Sequence, residues 1–293
     1  MWYVKIIYQN LTNAEATQSN GLSAFNSDGF TLGDDGNSNS NNATYASWNW
    51  KAGGGQGSSN TDGSINTTYT SVNTTAGFSI SKYTGTGSNA TIGHGLGVAP
   101  KMIIVKQLNS TNYWTVYHKS LSANSWVYLN TTDAVASNTA MWNNTEPTSS
   151  VFSIGTYTNT NQSGSTYIAY CFAEKQGYSK VGGSYTGNGN ADGTFVYTGF
   201  KPSFILAKRT DATAGWVLFD NKRIGYNGSG NYWLDAQNAE ADQTDATGMF
   251  DQLSNGFKVR SSFGSRNASG GNYIYMAFGQ SLVGSNNIPC TAR

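Results

Sequence analysis

The sequence predicts an all-β protein made of tandem antiparallel β-sandwich modules of jelly-roll-like type. Aromatic residues make up 13% of the 293 residues and charged residues only 11%, which distinguishes the chain from a disordered one. Gly, Ser, Thr and Asn fill nearly half of the sequence, and these residues favour turns between short strands. A phrase of Gly, two residues, Pro, an apolar run and Lys occurs twice, within residues 93–106 and 197–208.

The repeat extends beyond this phrase. Tyr83 and Tyr185 each begin the pattern Tyr-Thr-Gly-x-Gly, and Trp114 and Trp216 each stand in a later apolar run. The two members of each pair are 102 positions apart, so the match runs without a gap for more than thirty residues. Self-similarity at a constant offset indicates a duplicated scaffold rather than a catalytic motif.

A second pattern occurs three times and contains a Phe, a polar segment and a Tyr that is followed five residues later by another aromatic residue. It predicts a strand, a polar turn and a second strand, which together form a hairpin. The members are Phe30, Tyr45 and Trp50; Phe152, Tyr167 and Phe172; and Phe257, Tyr273 and Phe278.

These repeats predict two complete modules plus one partial module. Residues 1–51 form the C-terminal part of a first module, residues 52–76 a Gly/Ser/Asn/Thr-rich linker, and residues 77–181 and 182–293 the second and third modules. The end of the linker alternates enough to form an edge strand. Half a sandwich exposes its core face, so either the native polypeptide is longer at its N-terminus or another chain completes the first module.

Local chemistry predicts the central strands of each module. Pro100 and Pro202 lack an N–H group, so each is expected at the first residue of a strand. The apolar runs that follow them predict strands covered on both faces. Each of these strands is expected to form an antiparallel hairpin with the strand that contains Trp114 or Trp216.

Composition argues against several classes of function. The formal net charge of +1 without a Lys/Arg stripe predicts no binding to nucleic acid, and no segment suggests insertion into a membrane. The two cysteines cannot make a disulfide framework, and Cys171 is expected in the core. His94 and His118 lack the partners of a hydrolase triad or a zinc site, so the chain is predicted not to be an enzyme.

Two groups of residues are candidates for ligand contact. Aromatic residues near turns can stack on the apolar faces of sugars, and these are Trp142, Tyr157, Tyr226 and Tyr232, with core packing as the alternative role for each. The densest acidic segment is expected to be a solvated loop or a structural Ca²⁺ site. Its candidate ligands are Asp235, Glu240, Asp242 and Asp245. Apart from this Ca²⁺, no cofactor is expected.

Three segments carry a family resemblance: residues 77–106, residues 45–54 with the letters "YASWNWKAGG", and residues 277–293. They resemble a repeated β-sandwich domain of marine bacteriophage tail-fibre-like and virion structural proteins. The resemblance implies no catalytic residue. Where the middle repeat has "HGLGVAP" the last repeat has "VYTGFKP", so a special role for His94 is not expected there.

The resemblance implies a non-enzymatic structural component of a virion, in the first place a fibre or appendage protein that contributes to adhesion to the host surface. Such a protein is assembled in the host cytoplasm and displayed on the virion surface. Its implied partners are other virion proteins, a host cell-surface glycan and copies of itself in a homotrimer. The alternatives are a lectin-like carbohydrate-binding module, a capsid decoration protein and, last, a polysaccharide depolymerase.

Overall fold

The computed structural model of the protein describes residues 4–223, 227, 231–245 and 249–281. Within these residues the chain forms short antiparallel strands and four helices of four residues each, so the all-β prediction is confirmed. No helix in this part of the chain has the length and apolar character needed to span a bilayer.

The elements fall into an N-terminal segment, a middle unit and a C-terminal unit. The N-terminal segment, residues 4–52, contains β1 (Val4–Ile6), β2 (Ala16–Gln18), β3 (Leu22–Phe25), β4 (Phe30–Leu32) and α1 (Gly36–Asn39). The middle unit contains β5 (Tyr69–Asn73), β6 (Phe78–Thr84), β7 (Ala90–Gly93), β8 (Met102–Gln107), β9 (Trp114–His118), β10 (Ser125–Tyr128), β11 (Ala136–Ser137), α2 (Thr139–Trp142), β12 (Val151–Ile154), α3 (Thr158–Asn161) and β13 (Thr166–Phe172). The C-terminal unit contains β14 (Ser179–Thr186), β15 (Phe195–Tyr197), β16 (Phe200–Arg209), β17 (Trp216–Asp220), β18 (Asn231–Asp235), β19 (Gln243–Asp245), β20 (Phe250–Leu253), β21 (Gly256–Val259), α4 (Gly264–Asn267) and β22 (Asn272–Ser281).

The two units share one topology. The large sheet of the middle unit has the order β11-β10-β9-β8-β13-β6-β5, and that of the C-terminal unit has the order β19-β18-β17-β16-β22-β14. The small sheets are β12-β7 and β15-β21-β20. Strand β5 comes from the predicted linker and adds to the edge of the middle sheet, as the alternation of its residues suggests.

The predicted hairpins of the Pro-led strands are present as β8–β9 and β16–β17. All six residues of β8 are buried, which agrees with a strand covered on both faces. The prediction that each proline is the first residue of a strand is wrong, because β8 starts after Pro100, at Met102, and β16 starts before Pro202, at Phe200. The register of β16 against β22 shifts between Pro202 and Phe204, and this bulge accommodates the missing N–H group inside the strand.

The hairpin predicted from the Phe-to-Tyr pattern is also wrong. Strand β12 pairs with β7 in the small sheet, whereas β13 lies between β8 and β6 in the large sheet. Helix α3 carries the chain from one layer to the other. The Tyr167 hydroxyl holds this crossing, because it donates to the Thr158 carbonyl at 2.6 Å and accepts from the Gln162 N–H at 2.8 Å.

The buried side chain of Asn161 also stabilises this crossing between the two sheets through hydrogen bonds. Its side-chain oxygen accepts the Thr86 N–H at 2.7 Å, and its amide nitrogen donates to the carbonyls of Ser88 at 2.6 Å and Gly155 at 2.7 Å. Asn267 makes the equivalent contacts in the C-terminal unit. One buried side chain therefore joins α3 to the turn after β6.

The substitution Asn161→Ala is expected to lower the free energy of unfolding by about 2 kcal/mol, because it removes the side-chain partner of the buried Gly155 carbonyl and of the part-buried Thr86 N–H and Ser88 carbonyl. Urea unfolding followed by circular dichroism measures this loss. The exposed Ser163→Ala serves as the control and should stay within about 0.5 kcal/mol of the parent protein. A loss for Asn161→Ala as small as that of the control would contradict the role assigned to Asn161.

The described residues form three apolar clusters. One lies between the large and small sheets of the middle unit, and another lies between those of the C-terminal unit. The third combines residues of both large sheets, so these sheets pack face to face. The middle and C-terminal units therefore share part of their apolar core. The division of the chain into domains stays a prediction.

The N-terminal segment closes the shared core. Trp50, Phe172 and Phe278 occupy the same position in the three repeats and come from three different parts of the chain. Their ring centroids form a triangle with sides of 6.3, 5.4 and 6.1 Å. Three equivalent residues meeting at one point indicate an approximate threefold arrangement of the N-terminal segment and the two units.

The tryptophans that the repeat singles out occupy matching surroundings in this core. The indole N–H of Trp114 donates to the Tyr8 carbonyl at 3.0 Å, and that of Trp216 donates to the Tyr128 carbonyl at 2.8 Å. Each tryptophan thus contacts the part of the chain that precedes its own unit. We call this contact between consecutive parts of the chain a joint. It occurs twice, once between the N-terminal segment and the middle unit and once between the middle and C-terminal units.

Buried lysines strengthen both joints. The Lys106 ammonium group donates to the carbonyls of Thr12 at 3.2 Å and Gln107 at 2.7 Å. Lys208 donates in the same way to Thr132 at 3.4 Å and to its neighbour Arg209 at 2.7 Å. Burial lowers the pKa of each lysine to about 8. The acceptors match at an offset of 120 residues, from Thr12 to Thr132.

Candidate functional site

The C-terminal unit contains a hollow of about 610 Å³. Binding pockets for small ligands commonly have volumes of roughly 300–1,000 Å³, so this hollow has a suitable size. We call it the C-terminal hollow. Its lining includes Gly215, Val217, Trp233, Asp235, Gln237, Gln243, Phe263 and Arg266, together with Thr132 of the middle unit.

The hollow exists because two tyrosines of the middle unit have small or acidic counterparts. Tyr113 and Tyr128 stack there with their ring centroids 4.5 Å apart. Gly215 stands 102 positions after Tyr113. Asp235 takes the place of Tyr128, because Asp235 pairs with Val217 as Tyr128 pairs with Thr115. The strand pairing is the same in both units, but the C-terminal unit lacks the two tyrosine rings that occupy this space in the middle unit.

An aromatic wall and a cation form one side of the hollow. Phe263 stands at the N-terminus of α4 and is 56% exposed. The guanidinium group of Arg266 lies 4.7 Å from the centre of the Trp233 ring and 5.9 Å from that of Phe263. Arg266 is only 7% exposed, so this cation is held by the fold rather than by solvent.

The lining also contains polar groups. Gln237 accepts the Trp216 N–H at 2.7 Å, and Asp235 accepts a side-chain amide hydrogen of Asn238 at 3.4 Å. Burial raises the pKa of Asp235 above its ordinary value, and the charge of Arg266 offsets part of this effect. A ring platform beside amide and carboxylate groups suits a ligand with apolar C–H faces and several hydroxyl groups.

The predicted aromatic candidates occupy different environments. Trp142 is 1% exposed and donates its indole N–H to the Ser125 carbonyl, so the predicted ligand role is wrong and the residue belongs to the core. Tyr157 is half-buried and packs on Trp126 at 5.5 Å. Tyr232 is half-buried and precedes Trp233, so it lies on the opposite face of β18 from the hollow. Tyr226 lies outside the described residues.

The described acidic candidates do not converge on one point, although Glu240 is close enough to Asp235 for its charge to add to the effect of burial in raising the pKa of Asp235. Asp235 lines the C-terminal hollow, Asp242 forms an ion pair with Arg223, and Glu240 accepts a hydrogen bond from Gln243. Asp245 ends β19, and its side chain lies outside the described part of the structure. Among the described residues, no group of three or more His, Cys, Asp and Glu side chains converges as a metal site would require.

Sequence reasoning missed most of the residues that line the hollow. Gly215 carries no signal of its own, and Asp235 was predicted only as a Ca²⁺ ligand; their part in the hollow becomes visible when they are aligned with Tyr113 and Tyr128. That alignment depends on strand register, because the offset between the units has grown from 102 to 107 residues at Trp126 and Trp233. The 102-residue offset alone would have identified Gly215.

Comparison with known proteins identifies one family. The family model described as a domain of unknown function (DUF7483) matches residues 3–281. Neither the curated proteins nor the solved structures contain a match. The family match spans the N-terminal segment and both units, which agrees with a core to which all three contribute. The chain therefore belongs to the DUF7483 family.

Proposed function

We propose that the protein is a non-enzymatic fibre or appendage component of a bacteriophage virion that binds a host cell-surface glycan through the C-terminal hollow. The virion assignment rests on the sequence resemblance, and the glycan site rests on the geometry. The observation that carries the glycan proposal is the replacement of the stacked pair Tyr113 and Tyr128 by Gly215 and Asp235. This replacement opens a ligand-sized space without changing the frame around it.

The chemistry of the lining favours a saccharide over other small ligands. The exposed Phe263 ring offers a flat surface for sugar C–H groups, and Asp235 and Gln243 offer hydrogen-bonding groups beside it. A weak site of this kind becomes useful when many copies on one particle bind one cell surface together. The repeated contacts between segments support the structural part of the proposal, because they join the unit that carries the site to the middle unit through buried side chains.

Refilling the hollow tests the proposal directly. The triple variant Gly215→Tyr, Asp235→Tyr and Gln237→Asn transfers the residues of the middle unit to the C-terminal unit. A side chain at residue 215 meets the flexible end of Gln237, which the third substitution shortens. The parent protein is screened against an array of oligosaccharides, and the best-bound sugar is titrated calorimetrically. The variant should weaken binding by at least tenfold, about 1.4 kcal/mol.

Ser163→Tyr adds a ring at an exposed position away from the hollow and should leave the affinity unchanged. Equal affinity of the triple variant and the parent protein would contradict the glycan site, as would the absence of any bound sugar. Shortening of a host polysaccharide by the protein would instead establish the depolymerase alternative.

A further inference from the structure

The N-terminal segment contains the same layer crossing as the two complete units. The Tyr45 hydroxyl donates to the Gly36 carbonyl at 3.2 Å and accepts the Ser40 N–H at 2.8 Å. Gly36 is the first residue of α1, and Ser40 is the residue that follows the helix. Tyr167 and Tyr273 bond to the same two positions of α3 and α4. Asn39 also donates to the Gly33 carbonyl, as Asn161 donates to that of Gly155.

The equivalent residues differ sharply in exposure. Tyr45 is 49% exposed, whereas Tyr167 is 0% and Tyr273 is 1% exposed. Phe30 is 36% exposed, whereas its counterparts Phe152 and Phe257 are almost completely buried. Asn39 is likewise exposed while Asn161 and Asn267 are buried. The N-terminal segment therefore presents to solvent a face that both complete units cover.

In the complete units, one strand provides much of this cover. The ring of Tyr83 on β6 stacks on Tyr167 at 5.3 Å, and the ring of Tyr185 on β14 stacks on Tyr273 at 4.7 Å. Both covering tyrosines belong to the Tyr-Thr-Gly-x-Gly phrase. The residue after the first Gly of this phrase donates its N–H to the buried asparagine. Within its described residues, the N-terminal segment has no strand that corresponds to β6 or β14.

The other side of the N-terminal segment is already occupied. Tyr8 and Thr12 accept the hydrogen bonds of Trp114 and Lys106, which are the contacts that Tyr128 and Thr132 accept from the next unit. The Glu15 N–H donates to the Leu108 carbonyl at 2.8 Å, and that of Val135 donates to the Thr210 carbonyl at 2.8 Å. The N-terminal segment thus corresponds to the C-terminal part of a unit. It packs on the middle unit as the middle unit packs on the C-terminal unit, and its other face is exposed.

We propose that the face formed by Phe30, Asn39 and Tyr45 is a docking surface for the front half of another β unit of this family. The occupant is a sheet with the pattern of residues 77–124, which includes the Tyr-Thr-Gly-x-Gly strand, the Pro-led strand and the Trp strand. Its tyrosine stacks on Tyr45, and the N–H group of its phrase reaches Asn39. With the occupant bound, the N-terminal segment becomes the third complete unit around Trp50, Phe172 and Phe278.

A fusion protein tests this proposal with the full chain. A second copy of residues 77–124 is joined directly to Lys5. The junction follows from strand register: Ile6 pairs with Ala16 as Trp126 pairs with Ala136, an offset of 120 residues. Position 4 therefore corresponds to position 124, where the added copy ends. Nitration of tyrosines by tetranitromethane, located by mass spectrometry, measures access to Tyr45. The fusion should slow the nitration of Tyr45 by about tenfold or more, while the exposed Tyr113 and Tyr197 react as before.

A matched fusion carries Ser in place of the added copy of Tyr83, and it should restore most of the reactivity of Tyr45. Unchanged nitration of Tyr45 in a fusion whose circular dichroism shows the added strands would overturn the proposal. The unfused protein gives an independent measurement, because Tyr45 should react at the same rate at every protein concentration. Protection that rises with concentration would show that a second copy covers the face, and would also overturn the proposal.

Discussion

Replacing Trp216 by Ala is expected to lower the free energy of unfolding of the whole chain by about 4 kcal/mol. The side chain is 0% exposed and lies in the core between the two large sheets. Its removal leaves a cavity and also leaves the Tyr128 carbonyl without the indole donor. Denaturant unfolding followed by tryptophan fluorescence and by circular dichroism measures the loss.

Two controls separate the contributions to this effect. Trp216→Phe keeps most of the apolar volume and removes the hydrogen bond, so it should cost about 1–2 kcal/mol less than Trp216→Ala. Val98→Ala removes an exposed apolar side chain and should change the stability by less than about 0.5 kcal/mol. A cost for Trp216→Ala no larger than that of Val98→Ala would contradict its place at the joint.

Acidification should weaken the contact between the two units through His118. Its ring accepts the Ser120 N–H at Nδ1 and contacts the Tyr275 carbonyl through Nε2, at 3.2 Å in each case, and only the neutral Nε2–H tautomer satisfies both groups. Burial lowers the pKa of His118 to about 4, although the Tyr275 carbonyl and the charge of Glu174 act in the opposite direction. The histidine therefore favours folding only while it is neutral.

The sign of the pH effect follows from the lowered pKa. Between pH 6.5 and about 4 the unfolded chain binds more protons than the folded chain, so stability falls as the pH falls through this window. The contribution of His118 is at most about 3 kcal/mol. Comparing the unfolding free energies of the parent protein and His118→Gln at pH 7 and pH 4 isolates it, because other groups titrate in both proteins. Identical pH profiles would contradict the assignment.

Much of the frame could be predicted because repeated residues carry it. The spacing of Tyr83 from Tyr185 revealed the duplication, and the unbroken apolar runs indicated strands buried on both faces. The element that covers the second face could not be predicted from those runs. A run of apolar residues shows that both faces of a strand are buried but not which elements they pack against. The correspondence of Tyr8 and Thr12 with Tyr128 and Thr132 was the available signal for the joint.

The layer crossing and the candidate site were harder to predict. A Phe strand and a Tyr strand separated by a polar segment resemble a hairpin, and the four-residue helix that sends them into different sheets has no long apolar periodicity. The C-terminal hollow depends on side chains that are absent, Gly215 and Asp235 in place of two tyrosines. Sequence reasoning searched for aromatic residues near turns and therefore selected Trp142, which is part of the core.

The thiol of Cys171 offers the most direct test of the shared core. It is fully buried inside the middle unit, away from Trp216. In a Cys290→Ser background, its reaction with a thiol reagent across a denaturant series reports when the middle unit opens. Because the two large sheets share one core, Trp216→Ala should shift the onset of this reaction to lower denaturant, together with the loss of circular dichroism. If Cys171 stays protected at the denaturant concentrations that protect it in the parent protein, the units unfold separately and the shared core does not hold them together.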